Sequence, residues 1–156
     1  MDTVITSCPH CGKKNRLPAS GPGAPRCGNC RHALPWIVPA GDDSFAEVVE
    51  HSSIPVVVDL WATWCAPCHA IGEALEQLAA DLAGRLKVVK VDVDASARTA
   101  ARFDVQSVPT VLLFDGGHLV SRRIGAVPAA QLRQWVEQTV EQTRAAPSAP
   151  AGGAGS

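Results

Sequence analysis

The six cysteines of this chain form three Cys-x-x-Cys pairs, and the pairs lie in two different kinds of surroundings. Cys65-Ala66-Pro67-Cys68 stands between an apolar run, Ile54 to Trp61, and a helix-like run, His69 to Ala83. A strand that ends in a short turn and feeds a helix leaves the first thiol over unpaired backbone N–H groups, where the helix dipole favours thiolate over thiol. The second thiol, one helical turn on, can close a disulfide with the first. That is the arrangement thiol–disulfide exchange requires: a nucleophile and a resolving partner. The competing reading, half of a metal site, is disfavoured by the helix-opening context and by Trp61 and Trp64 beside the pair.

The other two pairs, Cys8-Pro9-His10-Cys11 and Cys27-Gly28-Asn29-Cys30, are separated by fifteen residues. That spacing is expected of a structural Zn²⁺ ribbon with Cys8, Cys11, Cys27 and Cys30 as ligands. Four thiolates complete a tetrahedral ion with no open position, so one such ion would hold the segment folded and would not catalyse. His10 and His32 lie nearby but are superfluous to a four-cysteine set. The alternative is that these cysteines are free or disulfide-bonded. What the module serves is open between a staple, a docking surface and a redox sensor, since zinc-bound thiolates can be oxidised with loss of the metal.

These sites must be positioned by 156 residues, enough for one ordinary domain with an appendage. A formal net charge of −1 gives no basic surface for nucleic acid. The segment Met1 to Ser7 lacks a signal-peptide pattern, and no run is long and apolar enough for a bilayer, so the expectation is a soluble cytoplasmic protein. In a reducing compartment six cysteines point to catalysis or metal rather than to a disulfide framework. No apolar stripe is left over beyond what a core needs, so a monomer is expected. Composition divides the chain into a cysteine-rich module at 1–35, a domain at 36–144 and an Ala/Pro/Gly/Ser tail at 145–156 expected to be disordered. The first of these has too few large apolar side chains for a core of its own and needs a staple.

Within the large region, Ser44 and Glu47 read as a capping box opening a helix over 44–51. A buried strand comes next at Val56 to Trp61, then a helix from about Cys65 to Gly84 with Pro67 in its first turn, where the missing N–H is little loss. Leu86 to Val93 reads as a second buried strand and Ala95 to Phe103 as a short helix. Strand, helix, strand implies a right-handed crossover and parallel pairing. Asp115-Gly116-Gly117 between two apolar runs predicts an antiparallel hairpin, and Leu132, Trp135, Val136 and Val140 give the core stripe of a last helix over 128–142. Trp36 to Val38 is a possible extra edge strand. The expected class is therefore α/β, a mixed sheet flanked by helices.

At this point the segment Trp61-Ala62-Thr63-Trp64-Cys65-Ala66-Pro67-Cys68 resembles the active-site segment of the thioredoxin family. Asp59 stands where that family has its buried acid and Lys90 where it has the lysine near that acid. Val108-Pro109-Thr110 resembles the segment with the cis-proline, and Gly125 the glycine beside the substrate groove. With the four-cysteine module in front, the chain is similar to the zinc-bearing thioredoxin 2 subgroup. There are three departures: Ala66 for the usual Gly, His69 for the usual Lys or Arg, and Glu73, after Gly72, for the proline that kinks the active-site helix.

The resemblance implies a thioredoxin fold and a protein-disulfide reductase with a redox-active disulfide, in which Cys65 attacks and Cys68 resolves. The nucleophile's pKa would then lie near about 7. Asp59, if buried, has a raised pKa and accepts the proton of Cys68. Lys90 reads equally as its partner and as a surface lysine. Pro109, if cis, presents neighbouring backbone to an extended client and keeps metal from the thiols. Clients are expected to meet Trp61, Trp64, Ala66, Pro67, Val108 and Gly125. The implied partners are disulfide-bearing proteins and thioredoxin reductase. Two alternatives remain: an oxidant or isomerase, and a zinc-dependent binding or chaperone-like module that the dithiol regulates.

Overall fold

In the computed structural model, which describes residues 3–145, the chain opens with a hairpin of β1 (Thr3–Ser7) and β2 (Lys14–Pro18). It continues through β3 (Trp36–Pro39), a short π-type helical turn (Ala46–Glu50), β4 (Val56–Trp61), α1 (Ala66–Asp81), β5 (Lys87–Asp92) and α2 (Ala97–Arg102). The hairpin β6 (Thr110–Asp115) and β7 (His118–Ile124) and the helix α3 (Ala129–Ala145) complete it. Of the expected tail, Ala145 closes α3 and 146–156 lie outside the described residues.

The five-stranded sheet has the order β3-β5-β4-β6-β7. β5 pairs parallel with both β3 and β4, while β4–β6 and β6–β7 are antiparallel. The parallel pair β4 and β5 results from the crossover through α1. Trp36 to Val38 does form the edge strand that its apolar run suggested. The β6–β7 turn uses Gly116 and Gly117 at φ 61° and 84°, the left-handed pair a two-residue hairpin loop needs. At Gly117 a Cβ would also come within 2.8 Å of the Glu50 carbonyl oxygen.

β4 is buried along both faces, and the two-residue alternation of its side chains divides the core. On one face Val56, Val58 and Leu60 join Val89, Val91, Leu112 and Phe114. On the other Val57, Val88, Val111 and Leu113 pack under Ile71, Leu75 and Leu78 of α1 and Leu132, Val136 and Val140 of α3. Asp59 shares the parity of Val57 and so faces the helices.

The cysteine-rich segment solves its shortage of apolar side chains by docking. Leu17, Ala19 and Leu34 are buried in the same cluster as Trp36, Val48 and Val58. Trp36 donates from Nε1 to the Pro18 carbonyl at 2.9 Å. Lys87, fully buried, donates to the carbonyls of Ala19 at 2.6 Å and Val48 at 2.7 Å and lies 4.2 Å from the centre of the Trp36 ring. Burial pushes its pKa down to about 8.

Docking also explains why the capping box does not form. Glu47 accepts instead from the Ser20 hydroxyl at 3.0 Å, and Ser44 Oγ accepts from the Gly41 N–H at 3.0 Å. The segment winds as a π-type turn, with the His51 N–H reaching back five residues to the Ala46 carbonyl. A tertiary partner for Glu47 outweighs the local cap.

Candidate active site and metal centre

The C-terminal end of β4 delivers Trp61, and the turn after it sets Cys65 at the N-cap of α1 with extended backbone, φ −98° and ψ 101°. Pro67 occupies the first turn, which contains no acidic residue to compete for the helix's positive end. Cys65 and Cys68 are joined as a disulfide with Cα atoms 5.4 Å apart, within the range such bonds require. Both are buried, whereas Ala66, Pro67 and His69 between and after them are exposed. The pair packs against Ala62, Trp61, Val93 and Val108. Trp64 is 70% exposed, its indole N–H donating to Asp94 Oδ2 at 2.8 Å, a partner the sequence did not single out.

Asp59 lies beneath α1 with neither carboxylate oxygen hydrogen-bonded. Burial raises its pKa to about 6, against a downward pull from Lys90 and a small upward push from Glu76. Lys90 Nζ stands 3.7 Å from Asp59 Oδ2 and equally 3.7 Å from Glu76 Oε2, and lies 5.9 Å from the centre of the Trp61 ring. Gly72 makes room for this ammonium: a Cβ there would fall 3.0 Å from Nζ and 3.7 Å from Asp59 Oδ2. Gly72 is one turn beyond Cys68 on the same helix, so the acid and the resolving thiol sit under one face of α1. The missing kink proline leaves α1 a single helix from Ala66 to Asp81.

The sign of the linkage at Asp59 is unusual for a carboxylate. Its folded pKa is above its unfolded one, so between about pH 4 and 6 the folded state holds more protons and stability falls as pH rises. Asp59→Asn is therefore expected to raise unfolding free energy at pH 7.5 by about 2–3 kcal/mol, with the gain vanishing near pH 4. Urea denaturation at the two pH values measures this, and an equal effect at both would contradict it.

Val108–Pro109 is a cis peptide, and the Pro109 carbonyl accepts from the Gly125 N–H at 2.9 Å. This ties the start of β6 to the end of β7, with Val108 against the dithiol. Trp61, Trp64, Ala66, Pro67 and Val108 thus border the cysteines, and Gly125 joins them through Pro109.

The four N-terminal cysteines converge. Their sulfurs all lie within 4.8 Å of one another, with Cys8–Cys30 and Cys11–Cys27 at 3.6 Å. Tetrahedral Zn²⁺ with bonds of about 2.3 Å places its sulfurs about 3.8 Å apart, so the cluster fits one ion. The two knuckles repeat one backbone pattern. Cys8 N–H donates to Lys13 O and Gly12 N–H to Cys8 O, as Cys27 N–H donates to His32 O and Arg31 N–H to Cys27 O. Residues 12 and 31 both have left-handed backbone, φ 78° and 71°. N–H groups aim at the sulfurs: His10 N–H at Cys8 and Asn29 N–H at Cys27, each at 3.4 Å, and the Asn15 and Asn29 amides at Cys27 and Cys11, each at 3.5 Å. Such donors favour thiolate: the Cys27 thiol is lowered first by the Cys30 N–H, and Cys11 first by the Asn29 amide. His32 Nδ1 lies 3.3 Å from Cys30 Sγ, with its ring stacked on His10 at 3.9 Å. The histidines therefore lie beside the four-sulfur set.

A buried dithiol at the head of a helix, with a buried acid that accepts no hydrogen bond under the same helix, defines a thiol–disulfide oxidoreductase. The thioredoxin family model matches residues 36–138. Thioredoxin of Haemophilus influenzae is 42% identical over 99 residues, 64% of this chain and 92% of that protein. Thioredoxin C-3 of Corynebacterium nephridii is 34% identical over 142 residues, 89% of this chain and 97% of that one, a match too long to be confined to residues 36–156. Thioredoxin 1 of Chlorobaculum tepidum is 45% identical over 94 residues, 60% and 93% of the two chains. The chain belongs to the thioredoxin family, and its enzymatic class is that of a protein-disulfide reductase. Among the described residues no helix is long and apolar enough to cross a membrane.

Proposed function

We propose that this protein reduces disulfides of client proteins in the cytoplasm and is returned to its dithiol by thioredoxin reductase at the expense of NADPH. The observation that carries this reading is the dithiol at the N-terminus of α1 together with the buried Asp59 under the same helix, whose carboxylate accepts no hydrogen bond and whose pKa is raised by burial. Cys65, as thiolate, attacks a client disulfide, forming a mixed disulfide and releasing one client thiol. Cys68 gives its proton to Asp59 and attacks Cys65, so that the second client thiol leaves and Cys65–Cys68 closes. Two electrons pass from the dithiol to the client. Trp61, Trp64, Ala66, Pro67, Val108, Pro109 and Gly125 are the surface the client strand meets, and the protein works as a monomer without nucleic acid or membrane.

Residues 1–35 form the ribbon module and 36–144 the thioredoxin domain. Cys8, Cys11, Cys27 and Cys30 would hold one structural Zn²⁺, which, when bound, closes the ribbon and supplies no reaction step. The test is a coupled assay with NADPH, thioredoxin reductase and insulin as the disulfide client. NADPH oxidation is expected to require this chain and to saturate with it. Absence of turnover while chemically reduced protein still reduces insulin would refute the recycling partner.

A further inference from the structure

We propose that Glu76 is a positioning residue for proton transfer from Cys68 to Asp59, acting through Lys90. The inference rests on the reading of Asp59 as the proton acceptor. One ammonium is shared between two carboxylates, each 3.7 Å away, beyond the 2.7–3.2 Å of a formed hydrogen bond. The two acids differ in environment: the side chain of Asp59 is 1% exposed and that of Glu76 52%. Glu76 therefore holds Lys90 toward the open end and keeps it from settling on Asp59, both of whose oxygens remain without a donor.

A buried carboxylate with a lysine fully on it is a weak base, and one with no cation nearby is protonated before it can act. The shared lysine sets Asp59 between these limits. Cys68, Gly72 and Glu76 succeed one another at four-residue steps on one face of α1. With Trp61, His69, Glu73 and Lys90 they line a groove of about 380 Å³ that opens beside Cys68. It is wide enough for water. When Cys68 attacks, its proton passes to Asp59 and from there through the groove to solvent or to the departing client thiolate.

The charged groups that act on Asp59 are Lys90 from β5 and Glu76 from α1; Cys68 stands one turn before Gly72, whose Cα side faces Asp59 Oδ2, and His69 and Glu73 of α1 line the groove with Lys90. The neighbouring strand β6 places Val111 opposite Asp59 and no charge. Glu76 belongs to none of the sequence motifs; only the fold brings it to Lys90.

The experiment monitors the Asp59 carboxyl carbon by NMR against pH in the reduced protein, together with the pH profile of single-turnover insulin reduction. In Glu76→Gln the apparent pKa of Asp59 and the acid limb of the rate are expected to fall by about half a unit to one unit. Glu76→Asp should keep most of the wild-type value, and the thermal midpoints of the two Glu76 variants should stay near wild type. In a Lys90→Met background the Glu76→Gln shift should shrink to less than half. An unmoved titration in Glu76→Gln, or the same shift with and without Lys90, overturns the proposal. Asp59→Asn separates the two levels: if it leaves the acid limb in place, Asp59 is not the acceptor, and if it removes the limb while Glu76→Gln moves nothing, only the role of Glu76 fails.

Discussion

Cys65→Ser is expected to bring insulin reduction down to the level of the buffer reductant alone, the largest change any single substitution should make. Cys65 sits at the N-cap of α1, where first-turn N–H groups and the helix dipole stabilise a sulfur anion and no acidic side chain opposes them. Serine keeps the shape but has no thiolate to offer at neutral pH. Cys68 cannot take over. It lies inside the helix, is buried, and borders the groove lined by Gly72, Glu76 and Lys90 rather than the exposed face of Trp64 and Pro67. Cys68→Ser should behave differently, since the first attack survives and only resolution is lost. Mass spectrometry is then expected to find Cys65 joined to a client. Substantial reduction by Cys65→Ser, or no mixed disulfide with Cys68→Ser, would contradict the division of roles.

Removing metal should have the second largest effect, this one on the fold. Zinc-finger peptides owe about 10–16 kcal/mol of apparent binding free energy to their ion at neutral pH. The ribbon here has little else of its own: its hairpin exposes Ile5, and its buried Leu17, Ala19 and Leu34 belong to a core shared with β3 and β4. Protein purified without chelator is expected to carry one Zn²⁺ per chain. Chelation should free the hairpin, uncover Trp36 and leave Lys87 without its Ala19 acceptor, because these contacts cross from the ribbon to the sheet. The measurement is metal content with urea denaturation monitored by tryptophan fluorescence. A red shift of the buried Trp36 at a lower denaturant midpoint is predicted. Metal-free protein with an unchanged midpoint would show that the four sulfurs are not a zinc staple.

Much of the fold was legible because it rests on local patterns. The valine-rich run of β4, the stripe Leu132, Trp135, Val136 and Val140 on α3, and the two glycines of the β6–β7 turn each carry their own physical reason. The helix expected at 44–51 failed in its details because its capping acid found a partner in Ser20, 27 residues away. From sequence Lys87 is only part of a strand, since nothing in a lysine between Leu86 and Val88 tells that its ammonium is sealed between two backbone carbonyls.

At the site, the pairing of Cys65 with Cys68, the burial of Asp59 and the cis bond before Pro109 were legible from the motif and its resemblance. The even choice at Lys90 could not be made from sequence, because it depends on the register that places Lys90 beside Asp59 and on the missing side chain of Gly72. Glu76 and Asp94 were invisible for the same reason: each matters only through a residue distant in sequence.

The most direct test of the account is the reduction potential of the Cys65/Cys68 couple in zinc-loaded protein. It can be equilibrated in a dithiothreitol redox buffer and read by the fluorescence of Trp61 and Trp64. A reductase of this family requires a value near about −270 mV, well below what an oxidant could use. A value near or above about −180 mV would contradict the account and make the protein an isomerase or an oxidant.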